Sequence, residues 1–353
     1  MGRRRTNVVF TTVAIAAVLL SAAVLFGYLA TAPSASTLRL GFFPNLTHVQ
    51  ALYGIATHAF QDALQRGLGD EFAIQAMAFN AGPTAIQALL SNQVDLVFVG
   101  PSPTLSGLAI AGPNVLRVIA GAASGGAFFV VQPYLNFTRD EDFGGKKFAT
   151  PQARNTQDIA LKYYLFERNH TTLADGGDVD VINAPYPDIL SLFQRKQIDG
   201  AWVPEPWATR LVRETNGTVL VDERDLWPNR QFVTTHLVTT KRYLELHQDI
   251  LRTFLAEYVN VTLRLQKANA SDLGIVNDAI YNLTEWSNDM ISAAAFTNLN
   301  VTYDPIATSL ATYLNWAKKL GFIDAETSLG PLYDLNLLNQ ILDGMGLPRV
   351  SGL

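Results

Sequence analysis

Short apolar runs alternate along this chain with segments in which apolar residues recur at helical spacing. The apolar runs predict strands at residues 38–43, 72–79, 94–99, 115–120, 128–131, 147–150, 178–182, 198–203, 218–221 and 232–239. The helical spacing predicts helices at residues 49–64, 84–90, 104–110, 156–167, 187–195 and 206–214. After residue 241 the pattern is helical, with breaks near 268–271 and 298–305. Alternation of this kind is typical of βαβ units, so the sequence predicts an α/β protein with doubly wound sheets.

The alternation pauses near residue 143 and then begins again, which indicates two α/β units. We predict a first lobe at residues 37–131, a second, smaller lobe at 132–230, and a return to the first lobe at 231–353. The helical tail would then pack back on the first lobe. The two lobes are expected to face each other across a cleft.

Polar loops that follow the predicted strands are the first candidates for chemistry. Loops at residues 44–48, 80–83 and 100–103 are short, polar and contain proline. The carboxyl ends of parallel strands form the ligand crevice in such folds, so several helix starts should surround one space. Near the helix predicted from Thr156, Asn155 or Thr156 is a suitable N-cap, and Asp158 complements the helix dipole. A bare helix start suits an anion, although an ordinary capped helix explains any single case.

Two further stretches carry candidate ligand contacts. Residues 198–207 read IDGAWVPEPW, and Trp202 at the mouth of a cleft could cover an apolar part of a ligand and donate one hydrogen bond. Glu205 could pair with a cation, such as an amino group of a zwitterion, or could be a first-turn carboxylate that matches the helix dipole. His48 and His236 are candidate donors to an anion, and a structural role is the alternative for each.

Composition excludes several classes of function. The chain has 353 residues, 48% of them hydrophobic and 16% charged, which is ordinary for a globular protein of two domains. The net charge of −5 includes Arg3, Arg4 and Arg5, so the rest of the chain carries −8, which argues against nucleic acid as a partner. The chain has no cysteine, its five histidines lack metal-ligand spacing, and it has no nucleotide-binding or hydrolase motif. We therefore expect no cofactor, no metal and no enzymatic activity.

The N-terminus resembles an export segment. Three arginines precede an uncharged run at residues 8–32, which is long enough to cross about 30 Å of hydrocarbon as a helix. Because the positive charges come first, the remainder should be exported. An uncleaved transmembrane anchor followed by a tether, together residues 1–36, is the favoured interpretation, since Pro33 follows the small residues 30–32 directly. A cleaved signal peptide remains the alternative.

Glycosylation sequons are more numerous than composition predicts. Of 21 asparagines, eight begin an Asn-X-Ser/Thr motif, where ordinary serine and threonine usage predicts about two or three. They are Asn45, Asn136, Asn169, Asn216, Asn260, Asn269, Asn282 and Asn300. The excess suggests an exported, N-glycosylated surface, and a chain merely rich in asparagine and threonine is the alternative.

Five stretches of the chain carry a family resemblance. They are LRLGFFPNLTHVQALYG (38–54), the Gly82 turn with QVDLVFVGPSP (93–103), GGKKFATPQARNTQDIAL (144–161), DGAWVPEPWATRLV (199–212) and VDERDLWPNRQFVTTHLV (221–238). Together they resemble the extracytoplasmic solute-binding proteins of ABC importers in the aliphatic sulfonate, nitrate and taurine group. The resemblance covers residues 40 to 340 and implies the two-lobed, hinged fold of type II periplasmic binding proteins. The absence of a lipoprotein cysteine departs from the family and leaves the mode of membrane attachment open.

The resemblance also implies ligand contacts at particular positions. Carried over by position, they are Asn45, His48, Gly82, Pro83, Ser102, Pro103, Asn155, Thr156, Gln157, Trp202 and Glu205. If Glu205 faces the cleft, a zwitterion such as taurine would suit it better than a bare anion. Helix starts and neutral donors would otherwise hold the anion without a counter-charge.

These expectations combine into one primary function and two alternatives. The primary expectation is a binding protein on the outer face of the cytoplasmic membrane that closes on a small anionic or zwitterionic solute and delivers it to ABC permease subunits. One alternative is an enzyme or pyrimidine-precursor binder on the same fold, like relatives of the thiamin pathway. The other is a surface sensor or structural glycoprotein that no longer transports.

Overall fold

Strands and helices alternate throughout the computed structural model, which describes residues 37–285 and 293–353. The strands of the described residues are β1 Thr37–Phe42, β2 Ala73–Ala78, β3 Leu96–Val99, β4 Leu116–Gly125, β5 Ala127–Val131, β6 Lys147–Thr150, β7 Asp180–Asn183, β8 Gly200–Pro204, β9 Thr218–Asp222, β10 Val233–Thr240 and β11 Leu299–Val301. The helices are α1 Val49–Ala56, α2 Ala59–Leu68, α3 Gly82–Leu90, α4 Pro101–Ala111, α5 Thr156–Phe166, α6 Tyr186–Gln194, α7 Trp207–Thr215, α8 Lys241–Leu246, α9 Gln248–Leu265, α10 Ala270–Thr284, α11 Ala293–Thr297, α12 Ala307–Lys319 and α13 Asn336–Gly344. The predicted α/β class is confirmed.

The strands form two sheets, one for each lobe. The first sheet has the strand order β11-β4-β10-β3-β1-β2, and the second has the order β7-β6-β8-β5-β9. Strands β1 and β3 are parallel, and β6 is parallel to both of its neighbours. Strand β10 is antiparallel to β3 and β4, and β5 is antiparallel to β8 and β9. Each sheet is therefore mixed. Parallel strands lie beside one strand, β10 in the first sheet and β5 in the second, that is antiparallel to both of its neighbours.

The chain passes between the sheets twice. The first crossing is the pair Gly125 and Gly126, whose φ angles of 76° and 70° fall in the left-handed region that glycine adopts most readily. The second crossing is the connection between β9 and β10, residues 223–232. Strand β5 follows the first crossing and pairs in the second sheet. The predicted lobe boundary after residue 131 is therefore wrong, and the strand pairing places it at the two glycines.

Buried packing explains why the central strands are so apolar. All four residues of β3 are buried, as expected for a central strand covered on both faces, although β3 is parallel only to β1 and antiparallel to β10. On the first lobe, the ring of Phe254 in α9 lies 4.6 Å from the ring of Phe60 in α2. Helix α12 reaches the second lobe as well, since the Trp316 ring stacks on Tyr163 of α5 at 4.7 Å. Helix α12 thus contacts both lobes rather than the first alone.

Some element boundaries differ from the prediction for local reasons. The helix predicted at residues 49–64 is divided into α1 and α2, because His58 has a left-handed φ of 58° that a continuous helix does not allow. Helices α3 and α4 begin earlier than predicted, with a proline in the first turn of each. A proline suits this position because its missing N–H would have no partner there. The predicted break at 298–305 contains β11, which pairs with β4.

The predicted anchor or signal peptide, residues 8–32, lies outside the described residues. Within residues 37–285 and 293–353, no helix combines the length and the apolarity that crossing a bilayer requires. Seven of the eight sequon asparagines are exposed at the surface. Asn45 is the exception, because it is only 2% exposed.

Candidate ligand-binding cleft

A small cavity lies between the two lobes, where the ends of several strands and the starts of several helices meet. Its volume is about 20 Å³, which is room for one or two water-sized groups. The lining residues are Phe43, Asn45, Thr47, His48, Gly100, Asn155, Thr156, Gln157, Tyr186, Pro204, Thr234 and Thr235. None of these side chains is an acid, a lysine or an arginine. Any charge held here would therefore be stabilised by neutral donors and by backbone dipoles.

The first lobe approaches the cavity through the start of α4. Gly100 precedes this helix, and a Cβ atom added to it would lie 2.3 Å from Thr156 Oγ1 of the second lobe. A carbon and an oxygen that are not bonded to each other cannot lie this close. Glycine, which has no Cβ atom, therefore permits the close approach of the two lobes. Ser102, in the first turn of α4, is 3% exposed, and its Oγ has no hydrogen-bond partner among the described residues.

The second lobe approaches through the start of α5. Asn155 precedes the helix with an extended backbone, and its carbonyl oxygen accepts from the N–H groups of Asp158 and Ile159, each at 3.1 Å. The Thr156 Oγ1 is buried without a partner among the described residues. The first N–H groups of any helix lack intrahelical acceptors. The start of α5 thus offers unused backbone donors and one unused hydroxyl.

Asp158 holds this loop in place and does not line the cavity. Its carboxylate accepts from Arg154 N at 2.8 Å, Thr150 Oγ1 at 2.9 Å and Lys162 Nζ at 2.9 Å. The side chain is wholly buried. Because its hydrogen-bonding capacity is used, this carboxylate positions α5 rather than a ligand.

His48 lines the cavity as a neutral ring. Its Nδ1 accepts from the N–H of Phe43 at 3.3 Å, which leaves the ring proton on Nε2. Burial lowers the pKa of His48 to about 3, since a charged imidazole would lose its hydration. The imidazole is therefore a neutral donor and not a cation at physiological pH.

His236 is fully buried, and it does not line the cavity. Its Nε2 lies 2.7 Å from Thr104 Oγ1 in α4, and burial lowers the pKa of His236 to about 3. The neighbouring Thr234 and Thr235 do line the cavity. The structural alternative agrees with the contact to Thr104, whereas the Nδ1 atom of His236 has no partner among the described residues, so contact with a ligand stays a prediction.

Trp202 is directed away from the cavity. It is fully buried, its ring stacks on Phe129 at 5.3 Å, and its Nε1 donates to Glu223 Oε2 at 2.7 Å. The predicted covering of a ligand is therefore wrong, because the indole face and the N–H are both occupied. The last residue of the same strand, Pro204, does line the cavity.

Glu223 lies in the second crossing between the lobes and accepts hydrogen bonds from the second sheet and from a C-terminal helix. Besides Trp202 of the second sheet, Tyr313 of α12 donates to Glu223 Oε1 at 2.6 Å. Burial raises the pKa of Glu223 to about 7, and the donated hydrogen bonds oppose that shift. The carboxylate therefore connects the second sheet, the crossing segment and the C-terminal helices.

Glu205 also takes part in a hydrogen bond between the two lobes. Its carboxylate accepts from Thr209 N at 3.0 Å and Thr209 Oγ1 at 2.9 Å, at the start of α7. Asn298, beside β11 of the first lobe, donates to Glu205 Oε1 at 2.7 Å. Glu205 is 1% exposed, and burial raises its pKa. The predicted pairing with a ligand cation is wrong, whereas the alternative of a helix-start carboxylate agrees with this geometry.

Gly82, Pro83 and Pro103 do not line the small cavity. A Cβ atom on Gly82 would lie 2.2 Å from Pro103 Cγ and 3.4 Å from Asn155 Oδ1. Gly82 therefore allows α3, α4 and the loop before α5 to come together. Gly82 and Pro103 therefore support the packing around the cleft, and contact of these three residues with a ligand stays a prediction.

A second, larger cavity of about 720 Å³ opens beside the first, and we call it the groove. The two cavities share Phe43, Asn45 and Tyr186 as lining residues. The other residues that line the groove are Pro44, Ala78, Phe79, Asn80, Ala81, Thr84, Pro151, Gln152, Asn183, Ala184, Pro185, Pro187, Leu283 and Thr284. As in the small cavity, none of them is charged.

Tyr186 is a cleft residue that sequence reasoning missed. It begins α6, stacks on Trp207 at 5.2 Å, and its hydroxyl accepts from Asn45 Nδ2 across the cleft at 3.5 Å. Its position after β7 follows the same strand-end rule that located Asn155, so the signal was present in the sequence. Thr234 and Thr235 had no such signal, because they lie on an antiparallel strand that passes the cavity.

Two α/β lobes joined by two crossings, with a neutral pocket between them, define the bilobed binding-protein fold. The chain belongs to the NMT1-like family, which it matches over residues 31–274. This match confirms the resemblance inferred from the sequence. The family membership and the sheet topology agree on the fold.

Individual relatives are distant. The taurine-binding periplasmic protein of Escherichia coli (strain K12) is 26% identical over 179 residues, and this match covers 50% of the chain and 52% of the relative. The alkanesulfonate-binding protein SsuA from Xanthomonas axonopodis pv. citri, solved with bound MOPS, has a TM-score of 0.69 at 13% identity, over 86% of this chain and all of the other. The periplasmic nitrate-binding protein NrtA from Synechocystis PCC 6803 has a TM-score of 0.73 at 13% identity, over 90% of this chain and 91% of the other.

Proposed function

We propose that this protein is the extracytoplasmic solute-binding component of an ABC importer and captures a small oxyanion in the cleft. The observation that carries the proposal is the convergence of helix starts from both lobes on one uncharged cavity. Thr156 lines the cavity with a buried hydroxyl group that has no partner among the described residues. Ser102, in the first turn of α4, has a second such hydroxyl group, although it does not itself line the cavity. Relatives described as binding taurine, alkanesulfonate and nitrate support the same class of ligand.

The strength of such a site follows from its parts. A helix start stabilises an anion by about 0.3–1 kcal/mol, and by up to about 2 kcal/mol when it is partly buried. Two or three starts, together with hydrogen bonds from neutral donors, could supply about −8 kcal/mol, which corresponds to micromolar affinity. The small cavity has less room than the three oxygens of a sulfonate need, so we propose that the lobes separate about the two crossings to admit the ligand.

Thermal unfolding of the full chain tests this proposal directly. We expect alkanesulfonates, taurine or nitrate at 100 times the dissociation constant to add about 2.7 kcal/mol to the free energy of unfolding. The variants Ser102→Ala and Thr156→Ala should reduce that increment, whereas Ser91→Ala on the outer end of α3 should not. A chain that no anion stabilises would contradict the proposal.

The enzyme alternative and the sensor alternative make different predictions. Turnover of a pyrimidine precursor, detected as product in the presence of the full chain, would favour an enzyme. Stimulation of a cognate permease and its ATPase by the loaded protein in vesicles would favour transport over a sensor or structural glycoprotein. The sequence contains no cysteine to act as a nucleophile or metal ligand, which favours the binding function.

Export, membrane attachment and glycosylation are part of the same proposal. They rest on the arginines and the apolar run before residue 33, and on the exposed sequons. Membrane fractionation tests attachment, and intact mass before and after deglycosylation tests the sequons. We expect no glycan on Asn45 in the folded protein, because its side chain is buried against Tyr186.

A further inference from the structure

The groove continues the small cavity outward from the anion site. It is about 36 times larger, at about 720 Å³ against about 20 Å³, and this volume is typical of pockets for organic ligands. Phe43, Asn45 and Tyr186 border both spaces. A ligand with its head in the cavity would therefore extend its remaining atoms into the groove.

Apolar surface is available along this path. Phe43, Phe79 and Tyr186 present aromatic rings, and Pro44, Pro151 and Pro185 add aliphatic surface from both lobes. Each methylene that moves from water into such surroundings tightens binding about fourfold when it is fully buried. A bare inorganic anion would leave this surface in contact with water.

Among the residues that the structure describes, no carboxylate lines the cavity or the groove to receive a cationic group of the ligand. The motifs that surround the cleft contain two buried acids, Asp158 and Glu205. Neither of them lines the cavity or the groove. Asp158 already accepts from Lys162 Nζ at 2.9 Å, and Glu205 accepts from Thr209 and Asn298. An ammonium group enclosed here would lose its hydration without gaining a counter-charge, which is strongly unfavourable.

We propose that the ligand of this cleft is an organic anion with an apolar body of several carbons and without an ammonium group. The inference rests on the proposed function, because it assumes that the small cavity receives an anionic head. It separates this chain from a taurine or nitrate binder. Phe79 of the first lobe and Pro185 of the second would then contact the apolar body.

Calorimetric titration of the full chain with matched sulfonates tests the ligand's chemistry. Propanesulfonate and taurine have the same shape, but one ends in a methyl group and the other in an ammonium group. We expect propanesulfonate to bind at least tenfold more tightly than taurine, and hexanesulfonate at least tenfold more tightly than ethanesulfonate. Equal affinity within either pair would overturn the inference while leaving the proposed function intact.

A variant that narrows the groove tests where the apolar body lies. Ala78 is exposed on β2 and lines the groove, so Ala78→Trp should fill part of it without disturbing the core. We expect this variant to weaken hexanesulfonate binding at least fivefold and to leave ethanesulfonate unchanged. Ala73→Trp, at an exposed position of the same strand outside the groove, is the matched control.

The remaining outcomes also separate the two proposals. Equal weakening of both sulfonates by Ala78→Trp, or no weakening of either, would overturn the groove assignment. If nitrate or taurine binds the unmodified chain and no alkanesulfonate does, this inference fails and the proposed function stands. If none of these anions binds, the proposed function fails, and this inference fails with it.

Discussion

Replacement of Glu223 by glutamine should change how the stability of the protein depends on pH. In the structure this carboxylate is fully buried at the second crossing, where it accepts hydrogen bonds from Trp202 and Tyr313. The amide of glutamine has a similar shape and can accept one of these bonds, but it cannot ionise. Comparison of the two proteins therefore isolates the titration of a single buried group.

The expected magnitude follows from the pKa of Glu223, which burial raises from 4.5 to about 7. A difference of this size corresponds to about 3 kcal/mol, since a tenfold change in proton affinity is worth about 1.4 kcal/mol. Between pH 4.5 and 7 the folded protein keeps this proton and the unfolded chain has lost it. The resulting stability is fully present below pH 4.5 and is lost as the pH rises through 7.

Urea unfolding of the unmodified chain and of Glu223→Gln at pH 5, 6, 7 and 8 measures this effect. The free energy of unfolding of the unmodified chain, minus that of the variant, should fall by about 1.4 kcal/mol per pH unit between pH 5 and 7 and then level off. Glu141→Gln is the control, because that side chain is 79% exposed. A difference that stays constant from pH 5 to 8 would refute the reasoning.

Three further predictions concern the contacts between the lobes and the charge of the cavity. Gly100→Ala should weaken binding of a short sulfonate at least tenfold, because its Cβ would lie 2.3 Å from Thr156 Oγ1. The loss should be much smaller when Thr156 is also replaced by alanine. Equal losses in both backgrounds would contradict the close approach of the two lobes. Because the pKa of His48 is lowered to about 3, sulfonate affinity should change less than twofold between pH 5 and 8, and a tenfold gain at pH 5 in calorimetry would show a charged ring. Asn298→Ala removes a donor from the buried Glu205 and should lower the free energy of unfolding by about 1–3 kcal/mol in urea, whereas a loss below about 0.5 kcal/mol would show that the bond is dispensable.

Part of the cleft could be located from local sequence alone. Asn45, His48 and the residues 155–157 line the small cavity, and each follows a strand that the apolar pattern had identified. The reason is geometric, because parallel strands end at one edge of a sheet and their following loops must meet there. Tyr186 obeys the same rule and could have been found in the same way.

Other assignments depended on long-range packing that no local pattern records. The indole of Trp202 in β8 donates to Glu223, and Tyr313 of α12 donates to the same carboxylate. Trp202 therefore helps to connect the lobes rather than to bind a ligand. Glu205 directly follows Pro204, which lines the cavity, yet its carboxylate accepts a hydrogen bond from Asn298, 93 residues away in the chain. The lobe assignment of β5 was likewise decided by its pairing with β8 and β9.

The amino-acid sequence by itself thus determined the α/β class, the family and the loops that surround the cleft, because periodicity and strand-end loops are local properties. Only the tertiary structure decided which polar side chains face the ligand space and which fasten the two lobes together. That choice depends on partners far apart in the chain, and the fully occupied carboxylates of Glu205 and Glu223 are its clearest result.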